Sequence, residues 1–130
     1  MDTVTTSFYD EIGGMETFRT IVDVFYAEVA EDEALRPMYP EEDLAPAAER
    51  LTLFLAQYWG GPTTYSDTRG HPRLRMRHVP FEVTPTSAQH WLRHMRAGLD
   101  AAALSPDQDA RFWDYLTHAA QFMINAPEPD

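Results

Sequence analysis

Apolar residues recur at three- and four-residue intervals along most of the chain, and the interruptions fall at glycine and proline. Phe18, Ile21, Val22, Phe25 and Val29 mark one helical face running from Met15 to about Ala30. Ala48, Leu51, Leu55 and Tyr58, with Phe54 beside them, predict a second helix from about Ala45 to Tyr58. Gly60-Gly61-Pro62 ends it, as glycine past the last turn and proline beyond should. Thr84-Pro85 then sets a cap and a proline at the first helical position. The face that follows is Ala88, Trp91, Leu92, Met95, Leu99 and Ala102. Ser105-Pro106 repeats the start signal, and the helix it opens is expected to bury Trp113, Leu116, Ala120, Met123 and Ile124.

Two shorter pieces complete the helical reading. Residues 7 to 12 form a short helix stopped by Gly13-Gly14, and residues 34 to 39 a turn of helix bounded by Pro37 and Pro40. Strand-like alternation is confined to FEVT at 81 to 84. Residues 63 to 84 are the least periodic part, and Pro72 and Pro80 leave room for only about two helical turns between them. The fold class is therefore all-α, with one domain over residues 7–126 and loose tails at 1–6 and 127–130.

Composition narrows the function more than the fold. With 130 residues, 44% hydrophobic and 24% charged, the chain is a globular domain able to build its own core. It has no cysteine, which excludes disulfides, thiolate-bound metals and iron–sulfur clusters. Its apolar runs are far shorter than a membrane span, and its acidic N-terminus lacks the basic start of a signal peptide. A cytoplasmic location is the expectation. The net charge of −11 argues against nucleic acid or an anionic membrane as partner.

Positive charge is concentrated in one place. All the basic residues are arginine, and from Arg69 to Arg96 there are six of them against a single acid, Glu82. The irregular segment carries Tyr65, Arg69, His71, Arg73, Arg75, Arg77, His78 and Phe81. One reading is a solvated basic loop pairing with the acidic surface. The other is a ligand site. Haem asks for one imidazole on iron, apolar and aromatic walls, and cations at its propionate edge. Arginine suits carboxylates because it binds them bidentately.

Other motifs carry less. HWLRH places His90 and His94 one turn apart, but the metalloprotease pattern needs glutamate where Trp91 stands, and no third ligand is evident. The pair is read as a solvated polar face beside Arg93 and Arg96, and His118 as surface. No nucleophile elbow is present, and IGG and WGGP are helix punctuation rather than phosphate loops.

IGG at 12–14, VDVFYAEVAEDEALRPMYP at 22–40 and FLAQYWGGPTTYSDTRGHPRLRMRH at 54–78, followed by PF and a tryptophan ten residues on, resemble the group II truncated haemoglobins. The likeness spans about residues 7 to 126. It implies a truncated globin-like fold, a two-over-two helical sandwich around haem b. By this resemblance His78 is the proximal iron ligand. Trp91, Tyr39 and Tyr26 are the distal hydrogen-bond donors, and the usual globin distal histidine is replaced by Ala47, with Leu51 one turn later. Arg77, Arg73, His71 and Tyr65 approach the propionates, and Leu51, Phe54, Leu55, Leu74, Phe81 and Met95 serve as walls.

The resemblance further implies a five-coordinate iron that binds O₂, CO, NO or peroxide. Trp donates one N–H and accepts nothing, so a Trp–Tyr cluster stabilises negative charge on bound oxygen. That favours peroxidase-like or nitric-oxide dioxygenase chemistry, with an external reductase, over oxygen transport. A non-catalytic sensor or store is the alternative. Self-association, as a homodimer or larger homo-oligomer, is also common in such proteins.

Overall fold

The computed structural model describes residues 7–73, 78 and 82–128. Six α-helices lie among them: α1 (Phe8–Glu11), α2 (Met15–Ala30), α3 (Ala45–Tyr58), α4 (Thr64–Arg69), α5 (Pro85–Ala102) and α6 (Pro106–Met123), with a 3₁₀ turn at Arg36–Met38. No strand occurs among the described residues. α2 packs on α3 and α5 on α6, and α2 also lies along α5, so the two pairs are stacked two over two.

Local chemistry sets most of the boundaries. The Thr84 hydroxyl accepts the Ser87 N–H at 3.1 Å and starts α5. Ser105 and Gln108 cap each other reciprocally at the start of α6. Gly60, at φ +97°, closes α3, and the Gly61 N–H returns to the Ala56 carbonyl at 2.8 Å. The Tyr9 N–H bonds the Trp59 carbonyl at 2.9 Å, which pins α1 to the end of α3.

Phe18, Ile21 and Phe25 of α2, Leu55 of α3, Met95 and Leu99 of α5, and Phe112 and Leu116 of α6 are fully buried at the centre. Burying each phenylalanine contributes roughly 1.5–3 kcal/mol. Among the described residues no helix is long and apolar enough to cross a membrane.

Five details differ from the sequence reading. α4 occupies residues expected to be irregular. It is held from outside, because the Gln57 side chain donates to Ser66 Oγ at 2.6 Å and accepts the Ser66 N–H at 2.9 Å. Phe112, rather than Trp113, fills the core. Trp113 is half-buried with the Arg96 guanidinium 5.0 Å over its ring. Tyr58, placed on the buried face of α3, is 51% exposed and stacks on Tyr115 at 4.0 Å. Val83 forms no ladder. Its N–H instead bonds Asn125 Oδ1 at 2.8 Å, and its carbonyl accepts the Asn125 N–H at 2.9 Å. The fifth concerns HWLRH: His94 is buried rather than solvated, and both histidines face Asp32.

Candidate functional site

A cavity of about 650 Å³ opens between the two helix pairs. That is the size range of small-molecule and cofactor sites. α3 supplies Ala47, Leu51, Phe54 and Leu55, and α6 supplies Leu116, Ala119, Ala120 and Met123. The amphipathic period of each helix directs this: residues one and two turns apart share a face. Tyr26 enters from α2, Trp91 from α5 and Tyr65 from α4, while Met38 and Tyr39 come from the turn after α2.

His78 lines the cavity, and it is the one imidazole that does so among the described residues. Its backbone is tethered from the far end of the chain, because Asn125 Nδ2 donates to the His78 carbonyl at 3.2 Å. Asn125 also holds Val83, so one side chain and its own amide tie both ends of the segment that follows His78.

The polar groups converge on one region. The Tyr26 and Tyr39 rings meet edge to face at 5.5 Å. Burial pushes both phenols above the ordinary tyrosine range. Trp91 is braced by Phe25, edge to face at 5.7 Å.

Two arginines line the cavity. Arg50 bonds Glu41 at 2.6 Å, and Arg69 lies 5.9 Å over the Tyr65 ring. Neither was singled out for the propionates. Both sit one helical turn from wall residues, Arg50 from Ala47 and Phe54 and Arg69 from Tyr65, a signal the sequence did carry.

The expected site residues divide into three groups. Trp91, Tyr39, Tyr26, His78, Tyr65, Leu51, Phe54 and Leu55 are brought together around the cavity. Met95 is fully buried in the core and is not among the lining residues, while His71 and Arg73 are exposed and also outside the lining. His71 Nδ1 accepts the Arg73 N–H at 3.2 Å. Leu74, Arg77 and Phe81, like Arg75, lie outside the described residues. Leu35, Met38, Val83, Ser87, Ala88, Tyr115 and Ala119 are lining residues that sequence reasoning did not name for the site.

The donor set fits haem. A largely apolar cleft with one imidazole on it, phenol and indole donors, and arginines at its margin matches the demands of a flat macrocycle bearing carboxylates.

Comparison with known proteins agrees. Residues 7–125 match the family described as bacterial-like globin. The chain is 37% identical over 122 residues to the group 2 truncated hemoglobin YjbI of Bacillus subtilis (strain 168), covering 94% of this chain and 91% of that one. Among solved structures, a thermostable hemoglobin from the actinobacterium Thermobifida fusca superimposes with a TM-score of 0.93 at 55% identity, over 95% of this chain and all of that one. The group II truncated hemoglobin of Bacillus anthracis gives 0.92 at 35% identity, over 98% and 97%.

Proposed function

Because the chain belongs to the bacterial-like globins as a group II truncated haemoglobin, and so binds small gaseous ligands through haem, we propose that its iron is five-coordinate and serves redox chemistry on oxygen, peroxide or nitric oxide. The single observation behind this is the cavity's polarity: one imidazole, His78, with Trp91 from α5, Tyr26 from α2 and Tyr39 from the turn after α2. His78 is the one imidazole among the described lining residues, and that supports a haem held by a single histidine with room for an external ligand.

When bound, haem b supplies an iron that takes small ligands and exchanges electrons. The protein does the rest. His78 anchors the cofactor, and Asn125 steadies the anchor. Trp91 offers an N–H that cannot act as an acceptor. Tyr39 and Tyr26 both line the cavity and bring phenol O–H groups that can donate. Donors fixed in advance stabilise developing negative charge without reorganising, and a low-dielectric wall strengthens them. Such a pocket holds oxygen too firmly for delivery and favours its reduction. Arg50 and Arg69 supply cations for the carboxylate edge, and electrons come from an external reductase.

Optical spectra of the ferric, ferrous and carbon-monoxide forms test the assignment. Wild type should give a high-spin ferric form and a histidine-ligated CO complex, and His78→Ala should lose stable haem uptake. A His78→Ala protein with the unchanged Soret band removes His78 from the iron. Steady-state consumption of peroxide or nitric oxide, with a reductase supplied, then decides between catalysis and storage. No turnover above free haem makes the protein a store.

A further inference from the structure

Away from the cavity, on the outer side of the α2–α5 contact, three side-chain atoms able to ligate a metal meet at one spot. Asp32 Oδ2 stands 2.5 Å from His94 Nε2 and 2.9 Å from His90 Nδ1. The groups come from distant parts of the chain. His90 and His94 are one turn apart on α5, and Asp32 follows the end of α2. The side chains of Asp32 and His94 are only 6% and 7% exposed.

Asp32 and His94 are each held in place by their other polar atom. Asp32 Oδ1 accepts the N–H groups of Ala34 and Leu35 at 2.8 and 3.3 Å, which leaves Oδ2 for the histidines. Glu28 Oε1 accepts from His94 Nδ1 at 2.8 Å, which leaves Nε2 facing inward. That carboxylate–imidazole arrangement is the one that orients metal-ligating histidines and fixes their tautomer.

His90 Nδ1 lies 2.9 Å from the Asp32 oxygen and 3.1 Å from the Arg93 guanidinium, and no single protonation state of that nitrogen serves both contacts. A cation held jointly by the imidazole and the carboxylate serves them in place of either proton.

We propose that Asp32, His90 and His94 form a binding site for a divalent transition-metal cation of the zinc type, separate from the haem cavity. Two imidazoles and one carboxylate are a zinc donor set, with water at the fourth position. Tetrahedral ligation at about 2.1 Å spaces ligand atoms about 3.4 Å apart. The three atoms here all lie within 4.8 Å of one another, so small side-chain rotations admit the ion. Glu31 and Glu33 line the cleft above and draw cations in. Arg93, 65% exposed at its side chain, is the competing cation and has room to swing into solvent. Metal at Nε2 replaces a proton there, and that proton is released.

Zinc chloride titrated into haem-loaded protein against a chromogenic chelator is the test. One equivalent should bind with a micromolar dissociation constant. His90→Gln should weaken it about 10-fold or more, Glu28→Gln about 10-fold through the orientation of His94, and Arg93→Gln should tighten it. His118→Ala should leave it unchanged. His90 is half-buried, so its variant stays folded even where a His94 variant does not. Millimolar binding only, or affinity indifferent to His90→Gln, overturns the site. Unchanged Soret spectra during the titration keep this outcome distinct from that of the haem assignment.

Discussion

Gly98 of α5 lies so close to Ile21 of α2 that a Cβ built on it would stand 2.6 Å from the Ile21 carbonyl oxygen. No side chain fits between these backbones, and the helices that carry Trp91 and Tyr26 owe their spacing to that contact. In an exposed helix Gly→Ala would add about 1 kcal/mol of stability. Here the clash is with backbone, which cannot turn aside, and overpacking costs about 1–3 kcal/mol. Gly98→Ala should therefore lower stability by roughly 1–2 kcal/mol. Thermal unfolding at fixed haem ratio checks the sign; an unchanged or raised Tm means that the helices part freely.

Ala103 presents the opposite case. It ends α5 at φ +53°, a left-handed conformation that costs an L-residue about 1–2 kcal/mol. Its side chain is exposed and contributes no core packing. Ala103→Gly should stabilise the protein by roughly 0.5–1 kcal/mol, net of glycine's greater unfolded-state freedom. Denaturant midpoints at constant m-value measure it.

These two substitutions also show where the sequence was legible. Helix limits were readable because Gly13-Gly14, Gly60-Gly61-Pro62, Thr84-Pro85 and Ser105-Pro106 act within a few residues. Trp91, Tyr39, Tyr26 and His78 were readable from ordered motifs, and all four line the cavity. Effects that reach across the chain were not. Asn125 meets His78 over 47 positions, and Asp32 meets His94 over 62, so neither partner marks the other locally. α4 has only six residues, too few for periodicity, and depends on Gln57. The choice between Phe112 and Trp113 turned on a single step of helical phase, about 100°. Trp113 instead meets the Arg96 guanidinium, a contact that hydrophobicity alone did not show.

Tyrosine ionisation gives a pH prediction. Burial raises the phenols of Tyr26, Tyr39 and Tyr115 above their unfolded values. A phenol whose folded pKa is raised favours the fold while neutral. Its contribution is whole below the unfolded value of about 10 and is lost as pH climbs beyond it. In an alkaline titration at least these three of the six tyrosines should stay silent in the phenolate band until the protein unfolds. Stability should fall steadily above about pH 10. Smooth ionisation of all six in folded protein would contradict the buried distal pair.

Asn125→Ala removes a side chain that bonds both His78 and Val83. Each neutral hydrogen bond is worth about 1 kcal/mol, and the residue is exposed, so the fold should survive with little change in helix content. Haem retention should suffer instead. Transfer of haem to an excess of an acceptor apoprotein should speed up about fivefold, the equivalent of roughly one such bond. An unchanged transfer rate means that the anchor does not depend on the C-terminal tether.

Tyr26 sits edge to face between Phe25 at 4.9 Å and Tyr39 at 5.5 Å, so the proposed function gives Tyr39 the contact with bound oxygen and Tyr26 the bracing of that ring. Tyr39→Phe deletes a donor to bound oxygen and should raise the oxygen dissociation rate about tenfold, close to the loss of one good hydrogen bond. Tyr26→Phe leaves that donor in a less polar surround, and the rise should be about threefold, near half the effect in free energy. Because the two residues are in contact, the double variant should fall short of the product of the single effects. Stopped-flow displacement of oxygen by carbon monoxide measures all three. A larger effect from Tyr26→Phe than from Tyr39→Phe reverses this assignment and makes Tyr26 the residue that touches the ligand.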